Sequence, residues 1–168
     1  MNGPLIQEFR NNRLKQVLPG APGSFITWTS PILSTKFTSG SRPAGSDRSN
    51  CPYVNGFIQA KFLDKSIFDS TATITAMLMG EYASIPAVFG DLGIQSKSFS
   101  LSSPVARAEA LTFYQANGAL IFDQFATFSN CAQNVYIKVT IAQDRITLPQ
   151  DPVPVDVVFS GAIVASAR

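Results

Sequence analysis

Apolar and polar residues alternate most strictly over residues 134–142, NVYIKVTIA. Val135, Ile137, Val139 and Ile141 fall on one side of an extended chain, and Tyr136, Lys138 and Thr140 on the other. A side-chain period of two is what a half-buried strand requires, and β-branched residues suit the pleat. A lone strand leaves its edges unpaired and its apolar face wet, so other strands must meet this one. The chain offers several: 24–30 (SFITWTS, stopped by Pro31), 32–38 (ILSTKFT), 53–64 (YVNGFIQAKFLD, with Gly56 as a bulge) and 71–80 (TATITAMLMG). After them come a short strand at 85–89, a weaker one at 94–102 (IQSKSFSLS), then 119–128 (ALIFDQFATF) and 155–167 (VDVVFSGAIVASA), the last preceded by Pro154. A proline is tolerated at the start of a strand, where no ladder donor is needed.

One stretch breaks the period. Ser103 followed by Pro104 is an N-cap with proline at the first helical position, and Asn117-Gly118 supplies a C-terminal stop. The spacing predicts a helix of about three turns between them. The alternative is a strand over LTFYQ closed by an Asn-Gly hairpin turn into 119–128.

The N-terminal part reads differently. Leu5, Ile6, Phe9 and Leu14 permit a short amphipathic helix within 2–16. LPGAPG, 18–23, reads as a hinge, and the polar stretch 39–52 (SGSRPAGSDRSNCP) as a long loop of the kind that is functional or mobile. The first 52 residues together suggest an extended arm more than a core. Strands spaced at regular short intervals with turn signals between them indicate an all-β sandwich or barrel. The expected architecture is a single antiparallel β-sandwich over 24–168, the jelly roll being one form of it. It carries one short helix and is preceded by an extended N-terminal arm and Pro/Gly hinge over 1–23.

Composition changes this picture in two ways. Charged residues are only 14% of the 168, against about 25% in a typical globular chain. A surface so poor in charge is either polar through Ser, Thr, Asn and Gln, or covered by partners. Thirteen phenylalanines suggest more aromatic surface than one core needs, with some of it at subunit contacts. The net charge of +2 is uneven: residues 1–50 hold six basic against two acidic residues. These charges are scattered, and a solvated arm accounts for them without a nucleic-acid partner. No run of about 18 apolar residues occurs, so no transmembrane helix is expected, and residues 7–13 are too polar for a secretion signal.

Candidate chemistry is sparse. The chain has no histidine, which removes Ser-His-Asp and Cys-His nucleophile sites and histidine-based zinc sites. Cys51 and Cys131 allow one disulfide, although buried free thiols are the default. No phosphate-binding glycine loop or EF-hand series is present. Asp64 and Asp69 flank KSIF and could be drawn as a carboxylate pair, but turn residues in solvent are the plainer account. Asp144, Asp151 and Asp156 match no known calcium loop. Asp123, between Phe122 and Phe125, is expected on the polar side of its strand. Trp28 and Tyr53 could stack on bases or sugars, but packing on the sandwich is the simpler role. No catalytic, cofactor-binding or metal-ligating residue is assigned, and no cofactor is expected.

Over residues 24–167 the pattern resembles small virus or bacteriophage virion proteins, in which an N-terminal arm precedes a jelly roll. That resemblance implies a capsid, decoration or tail-associated subunit without enzymatic activity. Such a subunit is made in the host cytoplasm and resides in the virion, and it assembles with itself and other virion proteins through its arm and loops. The arm departs from the pattern: it lacks the Arg/Lys density of arms that hold packaged RNA, which argues against genome contact. The competing expectation is a carbohydrate- or receptor-binding sandwich module, such as a C1q/TNF-like trimer.

Overall fold

The computed structural model describes residues 5–34, 53–82, 96–128 and 132–166. They form eight strands and one helix: β1 (Leu5–Leu18), β2 (Phe25–Thr29), β3 (Tyr53–Phe62), β4 (Thr73–Tyr82), β5 (Ser96–Ser100), α1 (Pro104–Asn117), β6 (Leu120–Phe128), β7 (Ala132–Ala142) and β8 (Val153–Ser166). Two four-stranded antiparallel sheets result, in the orders β1-β8-β3-β6 and β2-β7-β4-β5. The pairs β1·β8, β2·β7, β3·β6 and β4·β5 are the successive rungs of one long antiparallel ribbon. The pairs β3·β8 and β4·β7 close that ribbon on itself. An eight-stranded ribbon rolled into two facing sheets is a jelly roll.

The core lies between the sheets. Val135, Ile137, Val139 and Ile141 of β7 all face inward and are buried, as the alternation predicts. Ile58 from β3, Ile74 and Leu78 from β4, Phe122 from β6 and Phe159 from β8 meet them from the other strands. Trp28 stacks on Phe159 with ring centroids 4.3 Å apart and meets Phe9 at 5.6 Å. It therefore packs on the sandwich rather than offering a stacking platform to a ligand. Of the phenylalanines whose side chains are described, only Phe25 and Phe57 are exposed. The core thus takes up most of the apparent aromatic surplus.

The helix forms where its caps predict. The Ser103 side chain accepts from the Ala106 N–H, Pro104 opens the helix, and Gly118 closes it in the left-handed region (φ 72). The α1 residue Tyr114 is buried, and its hydroxyl accepts from the Phe62 N–H at 3.0 Å and donates to the Phe62 carbonyl at 3.2 Å. The helix therefore covers the end of β3 and satisfies its last backbone groups. The segment KSIFD (Lys65–Asp69) after β3 is a 3₁₀ helix capped by Asp64. Gly56 sits at the predicted bulge, where the β3·β6 register shifts before Ile58.

The N-terminal expectation is corrected. Residues 5–18 are neither a helix nor an arm outside the sandwich but a strand paired with β8 from Leu5↔Ala165 to Leu18↔Val153. Phe9, Leu14 and Leu18 lie in the core. The spacing misleads because of a bulge between Phe9 and Asn12, where Asn11 adopts a positive φ of 54°. Phe9 and Leu14 are an odd number of residues apart, so a regular strand would place them on opposite faces. The extra residue returns Leu14 to the core side. The LPGAPG stretch is a tight turn packed on the β7–β8 connection: Gln150 N–H donates to the Gly20 carbonyl at 2.9 Å. A Cβ on Gly20 would overlap the Gln150 carbonyl, so only glycine fits there. That turn couples β1 to the domain instead of uncoupling it.

Of the predicted strand at 32–38, Leu33 makes a single bridge to Val135. Residues 35–38 of that strand, the strand at 85–89, the whole loop 39–52, Cys51 within it, and Cys131 lie outside the described residues.

Candidate binding surface

The antiparallel pairing places the connections β1–β2, β3–β4, β5–β6 and β7–β8 at one end of the roll. Val17, Phe25, Leu63, Val105, Ile146 and Leu148 lie at that end, each more than half exposed. Ile146 and Leu148, in the proline-bounded connection before β8, are 92% and 83% exposed. Asp144 shapes this connection: its carboxylate accepts from the Ile146 N–H at 2.8 Å. The result is a hydrogen-bonded turn that carries two large apolar side chains in water. Sequence reasoning missed this pair, although an alternating Ile-Thr-Leu just before Pro149 with no neighbouring strand partner carries the signal.

The two outer sheet faces differ in charge. On the β2-β7-β4-β5 sheet, one outward row runs Thr27–Thr140–Thr75–Ser98 across all four strands. The Thr75 and Ser98 hydroxyls lie 2.8 Å apart. The next row runs Thr29–Lys138–Met77, with the only charge of the two. The β1-β8-β3-β6 sheet instead presents Glu8, Arg10, Arg13, Lys15, Lys61, Asp123 and Asp156. Near the β1 bulge this face holds a groove of about 450 Å³, lined among others by Ile6, Glu8, Arg10, Phe57, Gln59 and Ser160.

The structure holds Asp64 and Asp69 at opposite ends of the 3₁₀ helix, places Asp69 and Asp151 along one cavity, and gives Asp64, Asp123 and Asp156 local partners. Asp64 caps the 3₁₀ helix, accepting from the Ser66 N–H at 2.9 Å, and its hydrogen bonds to Ser66 hold its carboxyl below the usual range. Asp123 is exposed on the polar side of β6, as expected, and pairs with Lys97 at 3.2 Å. Asp156 is gripped by Arg13 through Nε at 2.8 Å and Nη2 at 2.7 Å. That two-pronged bond lowers the Asp156 carboxyl and raises the Arg13 guanidinium. Asp144, Asp151 and Asp156 do not converge, and no cluster of three or more metal-ligating side chains occurs among the described residues. The chemistry this surface can perform is recognition: apolar burial at one end, and polar and aromatic contacts on one face.

No protein-family model matches the chain, and no curated protein matches it in sequence. Among solved structures, it is similar to the infectious bursal disease virus VP2 subviral particle at 9% identity and a TM-score of 0.48. That match covers 98% of this chain and 33% of the other, so the chain spans about one third of that protein's length. It is also similar to a chain of tobacco necrosis virus (10% identity, TM-score 0.33, covering 92% of this chain and 95% of that one). A chain of Desmodium yellow mottle tymovirus matches at 11% identity and a TM-score of 0.29, covering 99% and 90%. The jelly-roll assignment itself stands on the strand order and register of this chain.

Proposed function

We propose that this chain is a non-enzymatic structural subunit of a virion that assembles with copies of itself. The jelly roll is shared by virus shells, lectins and cupins. Cupin chemistry commonly depends on histidine metal ligands, and this chain has none. The observation that carries the reading is that six large apolar side chains, each more than half exposed, lie at one end of the roll. Single exposed apolar residues are ordinary, but a concentration of them marks an association face. Charged residues make up only 14% of the whole chain, which favours contacts made by burial over contacts made by ion pairs. Basic residues are interspersed with acids along β1 and β8, so genome contact is not part of the proposal.

Sedimentation at about 0.1 M and about 1 M salt tests it, because the Debye length falls from about 10 to about 3 Å between them. The expected outcome is a large particle or a defined oligomer that persists at high salt, since screening weakens exposed ion pairs and not apolar burial. Ile146→Asp combined with Leu148→Asp is expected to dissociate it while leaving the fold intact. A wild-type monomer under both conditions would overturn the proposal and favour a monomeric binding module.

A further inference from the structure

We propose that the groove on the outer face of the β1-β8-β3-β6 sheet is a binding site for an uncharged glycan unit. Its floor is a run of small residues on β8: Ser160, Gly161 and Ala162. Nothing larger fits at Gly161, where a Cβ would collide with the Phe57 carbonyl and the Phe9 ring. Phe57, paired with Ala162, and Gln59, paired with Ser160, form one wall from β3. Ile6, Glu8 and Arg10 form the other wall from β1, ahead of the bulge at Asn11. The bulge turns β1 at this point, and the small floor deepens the gap between two ridges. Its volume of about 450 Å³ suits one or two sugar rings, within the usual range of about 300–1,000 Å³ for ligand sites.

The lining selects the ligand class. Phe57 is 43% exposed, an apolar ring held at the surface where the C–H face of a pyranose can lie against it. Ser160 Oγ accepts the Asn11 N–H at 3.0 Å, which leaves the hydroxyl proton to donate outward. Gln59 adds an exposed amide with both donor and acceptor atoms. Glu8 and Arg10 pair at 3.8 Å, so the rim brings acceptors and donors but no net charge. An anionic ligand gains nothing from a rim whose charges cancel, and a purely apolar one would leave the Gln59 and Ser160 groups unmatched. A neutral polyol with one apolar face satisfies both parts of the lining. This site is independent of the assembly face, because the groove lies on a sheet face and the apolar cluster at the connecting end.

Saturation-transfer NMR on the full chain tests the site, with the methyl glycosides of glucose, galactose, mannose and N-acetylglucosamine as probes. N-acetylneuraminic acid serves as the anionic comparison, and an extended neutral peptide as the alternative occupant. At least one neutral glycoside is expected to receive saturation, with the acid and the peptide receiving none. Phe57→Ala is expected to weaken that binding by about tenfold, Gln59→Ala by roughly threefold, and Phe57→Tyr to retain it. Phe25→Ala, on the other sheet, should leave it unchanged. Should Phe57→Ala fail to fold, Gln59→Ala and Phe57→Tyr carry the test. The proposal is overturned by the absence of transfer to every neutral glycoside, by transfer to the peptide alone, or by binding that Phe57→Ala and Gln59→Ala both leave intact.

Discussion

At the scale of single residues, the most informative contact joins Arg13 to Asp156. The two are 143 positions apart, and no local pattern announces their meeting. From sequence, Asp156 groups with Asp144 and Asp151 as a weak calcium candidate. In the fold it stands on β8 opposite Lys15, with Arg13 beside it. Its native carboxyl titrates below the unfolded value of about 3.9, so the native state binds that proton less readily than the unfolded chain. The associated stability is fully present above the unfolded value and is lost as pH falls through the lower native one. Asp156→Asn should therefore be less stable than the wild type at neutral pH, with the gap closing on acidification below about pH 4. Urea midpoints measured across that range check the sign. A gap that stays constant would show that the pair acts through packing rather than charge. Asp64 is also lowered, and the Asp156 charge works against that lowering, so Asp156→Asn releases Asp64 slightly and gives a smaller effect of opposite sign.

At the scale of elements, legibility followed regularity. β7 and α1 were readable because alternation and caps are local properties, and both formed where the residues require. β1 was not, since one inserted residue at Asn11 converts a strand's alternation into a spacing that also suits a helix. The groove was equally hidden: Phe57 and Ala162 become neighbours only through pairing of β3 with β8. A paired substitution in β7 tests how each of its faces is used. Val139 is inward and 1% exposed, so Val139→Asp buries an unpaired charge and should cost several kcal/mol, on the order of 3–5. Lys138 lies on the outer face, and Lys138→Asp should change unfolding free energy by about 0.5 kcal/mol or less. Comparable losses in urea denaturation would mean that the hydroxyl-rich outer face is itself covered by a neighbouring subunit.

At the scale of the whole molecule, the class of fold was legible from the spacing of short strands, but the order of strands was not, because partners lie far apart in sequence. The rolled ribbon has a further consequence for the sequence of events in folding. Its rungs are nested, with β4·β5 innermost and β1·β8 outermost. Once the inner rung forms, each later one closes only a small additional loop, so a zipper from the middle outward is the least costly route. Ile74→Val in β4 should then slow folding, and Leu14→Ala in β1 should mainly speed unfolding, as chevron kinetics would read. Equal effects on both arms from both variants would instead indicate a diffuse nucleus. On the ribosome the same nesting imposes a delay. Within the roll β1 is made before every other strand and its partner β8 after all of them, so Phe9, Leu14 and Leu18 must wait unpaired until the rest of the roll has been synthesised. The charges of Arg10, Arg13 and Lys15 on the waiting strand work against pairing with a wrong edge until its partner arrives.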